Sequence, residues 1–495
     1  MAISKTLHKF LSRKDDISKE SYTCLKQSGD DIANPPEHRD ERNPGAETVS
    51  TTWQVEAQYI SGNGAPMALA CLLEYSLSTT TLITVGRLGT IQLGAASLAS
   101  MTANMTAYMV YYGLATSMDT LCAQAYGAGM THLVSVHFQR MVCFLHMVTV
   151  PIIVLWSVAD RILPKVIRHE ETAVLAGRYL QVAAFGTPAY VAFECGRRYL
   201  QAQGVYSGSM YVLMVCVPFN AFMNWFLVWY CKMGFIGAPI ALTITDNLLP
   251  WCLLLYAYWG KRDKCWHGFT RQTLHGWGPM IRLAIPGFLT GEAESLTWAI
   301  NTAVASYLGP DALAAQTTLS TVVHIAWQIS YALSNSTRVR IGNWIGAGNE
   351  YAARTASKAA FAVALTAGMV IVVFLLASRH YIVRTFTTDA GVIDLVLGVI
   401  PLCGVALLCE ASSMVAGAVL CGMGRPHVTS CVQGLVFFVT LPTILGTVFG
   451  LGWHIYGLWV AAILGPLCAA CVEWVFLRGV NWKACVADGM KNMGA

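Results

Sequence analysis

"CLLEYSLSTTTLITVGRLGTIQLGAASLAS", Cys71 to Ser100, is apolar enough to enter a bilayer, yet its fourth letter is a carboxylate, Glu74. A charged side chain at mid-membrane costs about 3 kcal/mol even on the mildest insertion scale. The stretch therefore has to be either a soluble core helix or a membrane span with a purpose for its acid. Composition decides between them: across 495 residues 55% are hydrophobic and 12% charged, and mean hydropathy is +0.51. Soluble domains carry about twice that share of charge. Beyond residue 60 the charges gather in short clusters between apolar windows longer than the roughly 20 residues that a spanning helix needs. The short alternating segments of a transmembrane barrel are absent. The fold class is an all-α polytopic membrane protein.

Twelve windows fall near 62–86, 93–120, 139–159, 172–201, 205–230, 235–259, 280–308, 313–337, 357–378, 392–421, 427–450 and 454–477. Residues 1–60 hold 18 of the chain's 59 charged residues and include "NPPEHRDERNPG", a composition that predicts a disordered hydrophilic tail. A basic linker, 261–279, within "GKRDKCWHGFTRQTLHGWG", separates a first six-helix lobe, 61–260, from a second, 280–478, followed by a short tail, 479–495. Placing both termini in the cytoplasm puts most Lys and Arg there, as the positive-inside rule asks. That rule also accounts for the net charge of +5 without a nucleic-acid partner. The sixteen cysteines, mostly inside apolar windows, read as small buried hydrophobes.

The two lobes repeat. One offset, 220 residues, pairs Leu88-Gly89 with Leu308-Gly309, Leu93 with Leu313, Leu200 with Leu420, Gly204 with Gly424 and Gly237 with Gly457. With a slip of one it lays Gly127–Gly129, "GAG", on Gly346–Gly348, also "GAG". An even number of helices per half gives two like-oriented, pseudo-symmetric six-helix bundles, expected around a central cleft in which a transporter holds its substrate and alternates access.

The same offset relates Glu74 to Glu294. Two acids at equivalent depths, and Glu410 alone in "LCGVALLCEASSMVAGAVLCGMG", are candidate proton or cation sites. Burial favours the neutral form of a carboxyl, so such a group can take up a proton on one side and release it on the other. Asn220 and Asn224 lie one helical turn apart on one helix face. Tyr75, Tyr108, Tyr112, Trp298, Trp327 and Tyr331 offer aromatic faces that attract organic cations. Asp119 reads as a cap or gate contact at a helix end, and Glu194 as an ion-pair partner of Arg197 and Arg198.

Four stretches, "GLATSMDTLCAQAYGAG" (Gly113–Gly129), "RRYLQAQG" (Arg197–Gly204), "RIGNWIGAG" (Arg340–Gly348) and "GAVLCGMGRP" (Gly417–Pro426), resemble the multidrug and toxic-compound extrusion (MATE) family in its fungal form, over about residues 60–480. The resemblance implies twelve helices in two lobes and export of organic, often cationic, compounds in exchange for protons or sodium, with protons usual in eukaryotic members. It makes Glu294 and Glu410 the coupling and cation-binding carboxylates, and it matches Asn104, Asn220 and Asn224 to amides of the first lobe that would line the cleft and orient a proton or substrate. The family's second acid in the seventh helix is Ala299 in this chain, while Glu292 is an extra carboxylate; Glu74 or Glu292 would then substitute for the missing one. Cys421 stands where the family usually has Arg.

The function expected is antiport of small organic, cationic compounds against protons by a monomer in the lipid bilayer of the plasma or vacuolar membrane, with the proton gradient as energy source and no cofactor or metal. A lipid or lipid-linked precursor flippase and a facilitator-type drug transporter are the alternatives. The facilitator's basic loop after the second helix is replaced by "LCAQAYGAGMTH", and the intramembrane charges are acidic where a flippase wants a basic cleft. No nucleophile–base or metal constellation is legible, so an enzyme is not expected.

Overall fold

The computed structural model describes residues 51–167, 169–260, 265–386 and 389–493; most of the expected hydrophilic tail and the basic residues Lys261–Lys264 lie outside the described residues. Every described regular element is helical, and each of the twelve sequence windows lies on a helical rod. In the first half these are Trp53–Gly86, Thr90–Gly127 with a π turn at Asn104–Tyr108, Thr131–Ser157, Glu170–Ala202 with a break near Phe185, Ser207–Tyr230 and Gly237–Trp259. In the second they are Gly278–Tyr307, Pro310–Gly346, Glu350–Phe386, Ala390–Gly422, Pro426–Gly450 and His454–Arg478. Called spans one to twelve below, they form the two six-helix bundles. Short helices Ala159–Val166 and Trp482–Met493 flank them.

Among the described residues, eight helices are recognisable as membrane-crossing from length and apolarity alone. The remaining spans, two, four, seven and eight, include the carriers of Asp119, Glu194, Arg197, Glu294 and Arg340. Polar residues are accommodated inside spans by bonding to their own helix. In "STTT" of span one, Thr79, Thr80 and Thr81 donate to the carbonyls of Tyr75, Ser76 and Leu77 at 3.0, 2.8 and 3.2 Å, which removes unsatisfied hydroxyls from the apolar phase.

The internal repeat is written in the backbone. Left-handed glycines recur in pairs: Gly129 and Gly348 at φ 74° and 75°, Gly204 and Gly424 at φ 80° and 81°. A residue with a Cβ rarely adopts that conformation, so the matched letters of the two halves are matched because both halves make the same turns. The fifth span of each half also ends in a π turn, Phe226–Tyr230 and Leu445–Gly450.

The structure corrects two expectations of detail and adds one contact set. Span one begins at Trp53, so residues 53–60 are helix rather than tail, and Glu56 is fully buried. The segment after Lys264 is tied to span three: Cys265 is buried, Gln139 donates to the Gly268 carbonyl at 2.8 Å and accepts from the Thr273 hydroxyl at 2.9 Å, and Arg140 donates to the Gln272 carbonyl at 3.2 Å. Asp119 lies eight residues inside its helix, so it caps nothing.

The chain folds into two compact units that do not coincide with the halves of the sequence. One holds the described residues up to Ala65, Asp119–Met130 and everything from Ala293 onward; the other holds Pro66–Met118 and Thr131–Glu292. In the first unit the end of span two packs on span eight through small residues. Ala123 and Gly127 face Gly342 and Gly346, the small-xxx-small pattern that lets membrane helices touch backbone to backbone. A Cβ on Gly346 would lie 1.9 Å from the Gln124 carbonyl oxygen, and one on Gly127 would lie 2.0 Å from that of Asn343. Gln124 and Asn343 are themselves repeat-related, so the crossing is two-fold. Thr120 and Gln124 then donate to the Cys421 and Gly422 carbonyls of span ten at 2.8 and 3.1 Å.

Candidate functional site: two acid clusters of opposite character

In the second unit Glu74 has an answer. Span four places Tyr190, Glu194, Arg197 and Arg198 at three- and four-residue spacing, hence on one helix face. Arg197 Nη1 lies 2.6 Å from Glu74 Oε2 and its Nε pairs with Glu194. Arg198 Nε lies 2.7 Å from Glu194 Oε1, and its guanidinium sits over the Tyr112 ring at 4.9 Å. Tyr190 donates its hydroxyl to Glu74 Oε1 at 3.1 Å. Two acids thus meet two guanidiniums, and the network is electrically balanced. The Tyr108 ring packs edge-on against Tyr190 at 4.7 Å, and its hydroxyl hydrogen-bonds the buried Asp246 of span six.

The first unit holds the opposite arrangement. Glu294 of span seven and Glu410 of span ten stand in each other's field, and the indole of Trp327, from span eight, lies beside both. Both carboxyls are half-buried. The Trp327 N–H is buried and makes no well-formed hydrogen bond among the described residues, so it is a donor held in reserve between two acceptors. His324, Trp327 and Tyr331 stack along one face of span eight, with centroids 5.7 and 5.3 Å apart. Among the described residues no cation pairs with Glu294 or Glu410.

The repeat makes the contrast exact in position. The offset that carries Glu74 onto Glu294 carries Tyr190 onto Glu410. Where one half sets an acid against a tyrosine and an arginine, the other sets acid against acid.

A family model described as MatE matches residues 66–226 and 286–445, two segments that begin 220 residues apart. The chain belongs to the MATE family of membrane transporters. It is similar to an uncharacterized transporter of Saccharomyces cerevisiae, 35% identical over 436 residues, 87% of this chain and 62% of that relative, so it spans less than two thirds of the relative's own length. It is also similar to multidrug and toxin extrusion protein 2 of Mus musculus, 28% identical over 444 residues, 88% of this chain and 78% of the mouse protein. The crystal structure of the eukaryotic MATE transporter AtDTX14 shares the fold, with a TM-score of 0.81 at 22% identity over 89% of this chain and 98% of that one. The protein is therefore an integral membrane transporter and not an enzyme.

Measured against this MATE fold, the residues singled out in the sequence separate into groups. Glu294, Glu410 and Trp327 come together, and Tyr331 joins them through its stack on Trp327. Trp298 packs edge-on against Trp459 at 6.3 Å. Tyr108, Tyr112 and Glu74 belong to the balanced network of the other unit. Asn220 and Asn224 are fully buried and line no open space: Asn220 donates to Thr245 at 3.0 Å, and Asn224 to the Asn220 carbonyl and amide oxygens at 3.0 and 3.1 Å. The Asn220 amide is thus spent on span six and that of Asn224 mostly within span five, with Thr81 of span one at 3.5 Å. Asn104 and Tyr75 are exposed. Glu292 is half-buried, and its Oε1 has no partner among the described residues. Asp119, buried, pairs with Arg338 Nη1 at 3.1 Å, and the 219-residue register that relates the two GAG turns also relates these two residues.

Sequence reading paired Arg197 with Glu194 but missed it as the partner of Glu74, because the positive-inside rule assigns arginines to the cytoplasmic end. It marks Asp246 and Glu473 as intramembrane or near-interface acids but gives them no role, because no family motif stands behind them. The available clue was spacing: Glu194, Arg197 and Arg198 on one face require a buried counter-charge for the arginine left over.

Proposed function

We propose that this transporter exports small organic cations in exchange for protons, with Glu294 and Glu410 as the exchanging site and both termini in the cytoplasm. The observation that carries the reading is the half-buried acid pair without a cation beside it. A carboxyl pair in a low-dielectric setting is neutralised either by protons or by a cationic guest. Because the two compete for the same oxygens, binding one expels the other, and competition of this kind is what antiport requires. The flat faces of Trp327 and Tyr331 next to the acids suit a cation that is also aromatic or amphipathic. The mouse relative's name, multidrug and toxin extrusion protein 2, supports the substrate class.

The test is accumulation of ethidium in vesicles that contain the purified protein, driven by an imposed pH gradient. Glu294→Gln and Glu410→Gln are each expected to lower the gradient-driven rate by roughly a hundredfold, the usual order for removing a group that transfers protons, and to flatten its pH dependence. Glu74→Gln, whose arginine keeps Glu194 as partner, is expected to retain the pH dependence of the unaltered protein. Full accumulation with an unchanged pH profile in both helix-seven and helix-ten variants would overturn the assignment.

A further inference from the structure

Span ten carries a stripe at three- and four-residue spacing, Glu410, Ser413, Gly417 and Cys421, that descends from the acid pair toward the end of the helix. A second acid lies alongside it. Glu473, on span twelve, is 2% exposed and five residues from the helix end that carries Arg478. Ser413 donates its hydroxyl to Glu473 Oε2 at 3.3 Å. The other oxygen, Oε1, lies over Gly417, where a Cβ would come to 3.4 Å from it and 3.1 Å from Thr429 Cγ2. Thr429 Oγ1 in turn is 4.0 Å from Cys421 Sγ, and Cys421 stands in the fields of Arg338, Glu473 and Asp119.

The register of the two helices is fixed on both sides of Glu473. Trp474 donates its indole N–H to Ser412 at 3.4 Å and packs on Phe361 of span nine at 4.3 Å. The ionisable groups facing Glu473 from its neighbours are Glu410 and Cys421 of span ten; Thr429 faces it from span eleven and Phe361 flanks from span nine. Among the described residues no cation pairs with it. A carboxylate of this size would be an expensive way to make one hydrogen bond to a serine inside a membrane.

We propose that Glu473 is a relay carboxyl that carries protons between Glu410 and the Cys421–Arg338–Asp119 end of the unit. A proton leaving Glu410 is taken up by the Ser413 hydroxyl as Ser413 passes its own proton to Glu473 Oε2, so the serine is unchanged and Glu473 becomes neutral. Glu473 then gives that proton past Gly417 to the Thr429 hydroxyl as Thr429 hands its own on to Cys421, and Cys421 likewise gives one up for the one it takes, so that the Asp119 carboxylate receives it, Thr429 and Cys421 are unchanged and Glu473 is a carboxylate again. Gly417 is small so that the carboxyl can turn between the two sides. The inference rests on the proton-driven reading of the preceding section, but it asks for a residue outside the exchanging pair.

Two assays on the same vesicles separate a relay from a structural anchor. Ethidium counterflow, exchange of labelled for unlabelled dye at equal pH on both sides, needs an intact fold and binding site but no net proton movement. Gradient-driven accumulation needs both. Glu473→Gln preserves size and the capacity to accept from Ser413, so an anchor tolerates it. The relay predicts counterflow within about twofold of the unaltered protein, accumulation lowered about tenfold or more with a flattened pH profile, and partial recovery in Glu473→Asp. Accumulation and pH profile unchanged in Glu473→Gln overturn the relay, and so does a parallel fall of counterflow and accumulation. If the unaltered protein shows counterflow but no response to the gradient, it is the proton-driven reading itself that falls.

Discussion

Arg340→Met is expected to remove about 3–5 kcal/mol of stability, the cost of leaving a buried acid without its cation. Arg340 Nε and Nη2 meet the two oxygens of Glu56 at 2.7 and 2.8 Å in a two-pronged pair, with both side chains essentially inaccessible. Thr51 and Trp344 donate to the same carboxylate at 2.8 and 3.2 Å, and the guanidinium lies 4.1 Å from the Tyr59 ring centroid and 4.5 Å from that of Trp344. The pair joins the first turn of span one to span eight within the same compact unit. Methionine fills the space but leaves Glu56 charged, buried and without the two donors that Arg340 supplied. Unfolding of the purified protein in mixed micelles, followed by helix content against denaturing detergent, measures the loss. Adding Glu56→Gln to Arg340→Met removes the stranded charge and is expected to restore more than half of it. A loss under about 1 kcal/mol in the single variant would mean that water reaches the pair, as it does at exposed bridges.

Gly346→Ala carries the second large effect, about 2–3 kcal/mol, through a different mechanism. The added methyl would stand 1.9 Å from the Gln124 carbonyl oxygen and 2.7 Å from its carbon. Those are backbone atoms of a helix and cannot turn aside, so spans two and eight must separate, and overpacking of that kind costs this much. Separation also stretches the bonds from Thr120 and Gln124 to span ten. Gly127→Ala, related by the repeat, meets the Asn343 carbonyl oxygen at 2.0 Å and should behave alike. Gly434, inside span eleven with nothing near its missing Cβ, supplies the control. Alanine there is expected to be neutral or stabilising by up to about 1 kcal/mol, its helix preference over glycine. Equal effects at positions 346 and 434 would show that the crossing is looser than its geometry.

Much of the architecture was legible from letters alone, for a physical reason. A bilayer demands apolar runs of a set length and leaves no alternative to satisfied helices, so twelve windows mark twelve rods with ends off by a few residues. Turn glycines added the repeat, because Gly129, Gly348, Gly204 and Gly424 are required by a left-handed backbone wherever their neighbours lie. The ends were less legible. Trp53–Ile60 reads as hydrophilic tail because Glu56 counts as one more charge until Arg340, 284 residues away, is brought against it.

Sequence by itself determined that acids lie in the membrane, and that Glu74 and Glu294 are equivalent in the repeat. Only the tertiary structure decided that they are unlike in kind. Glu74 is neutralised by Arg197, from a helix whose arginines the charge rule would place at the cytoplasmic end, while Glu294 faces Glu410 with no such partner among the described residues. The same holds for Asn220 and Asn224, which turn inward to each other, and for Glu473, which no motif marks. Burial along one helix follows from hydropathy, a property of neighbouring residues. The charge that a carboxyl meets depends on which distant helix face is packed against it, and that is written in contacts between residues far apart in the sequence, 123 positions for Glu74 and Arg197.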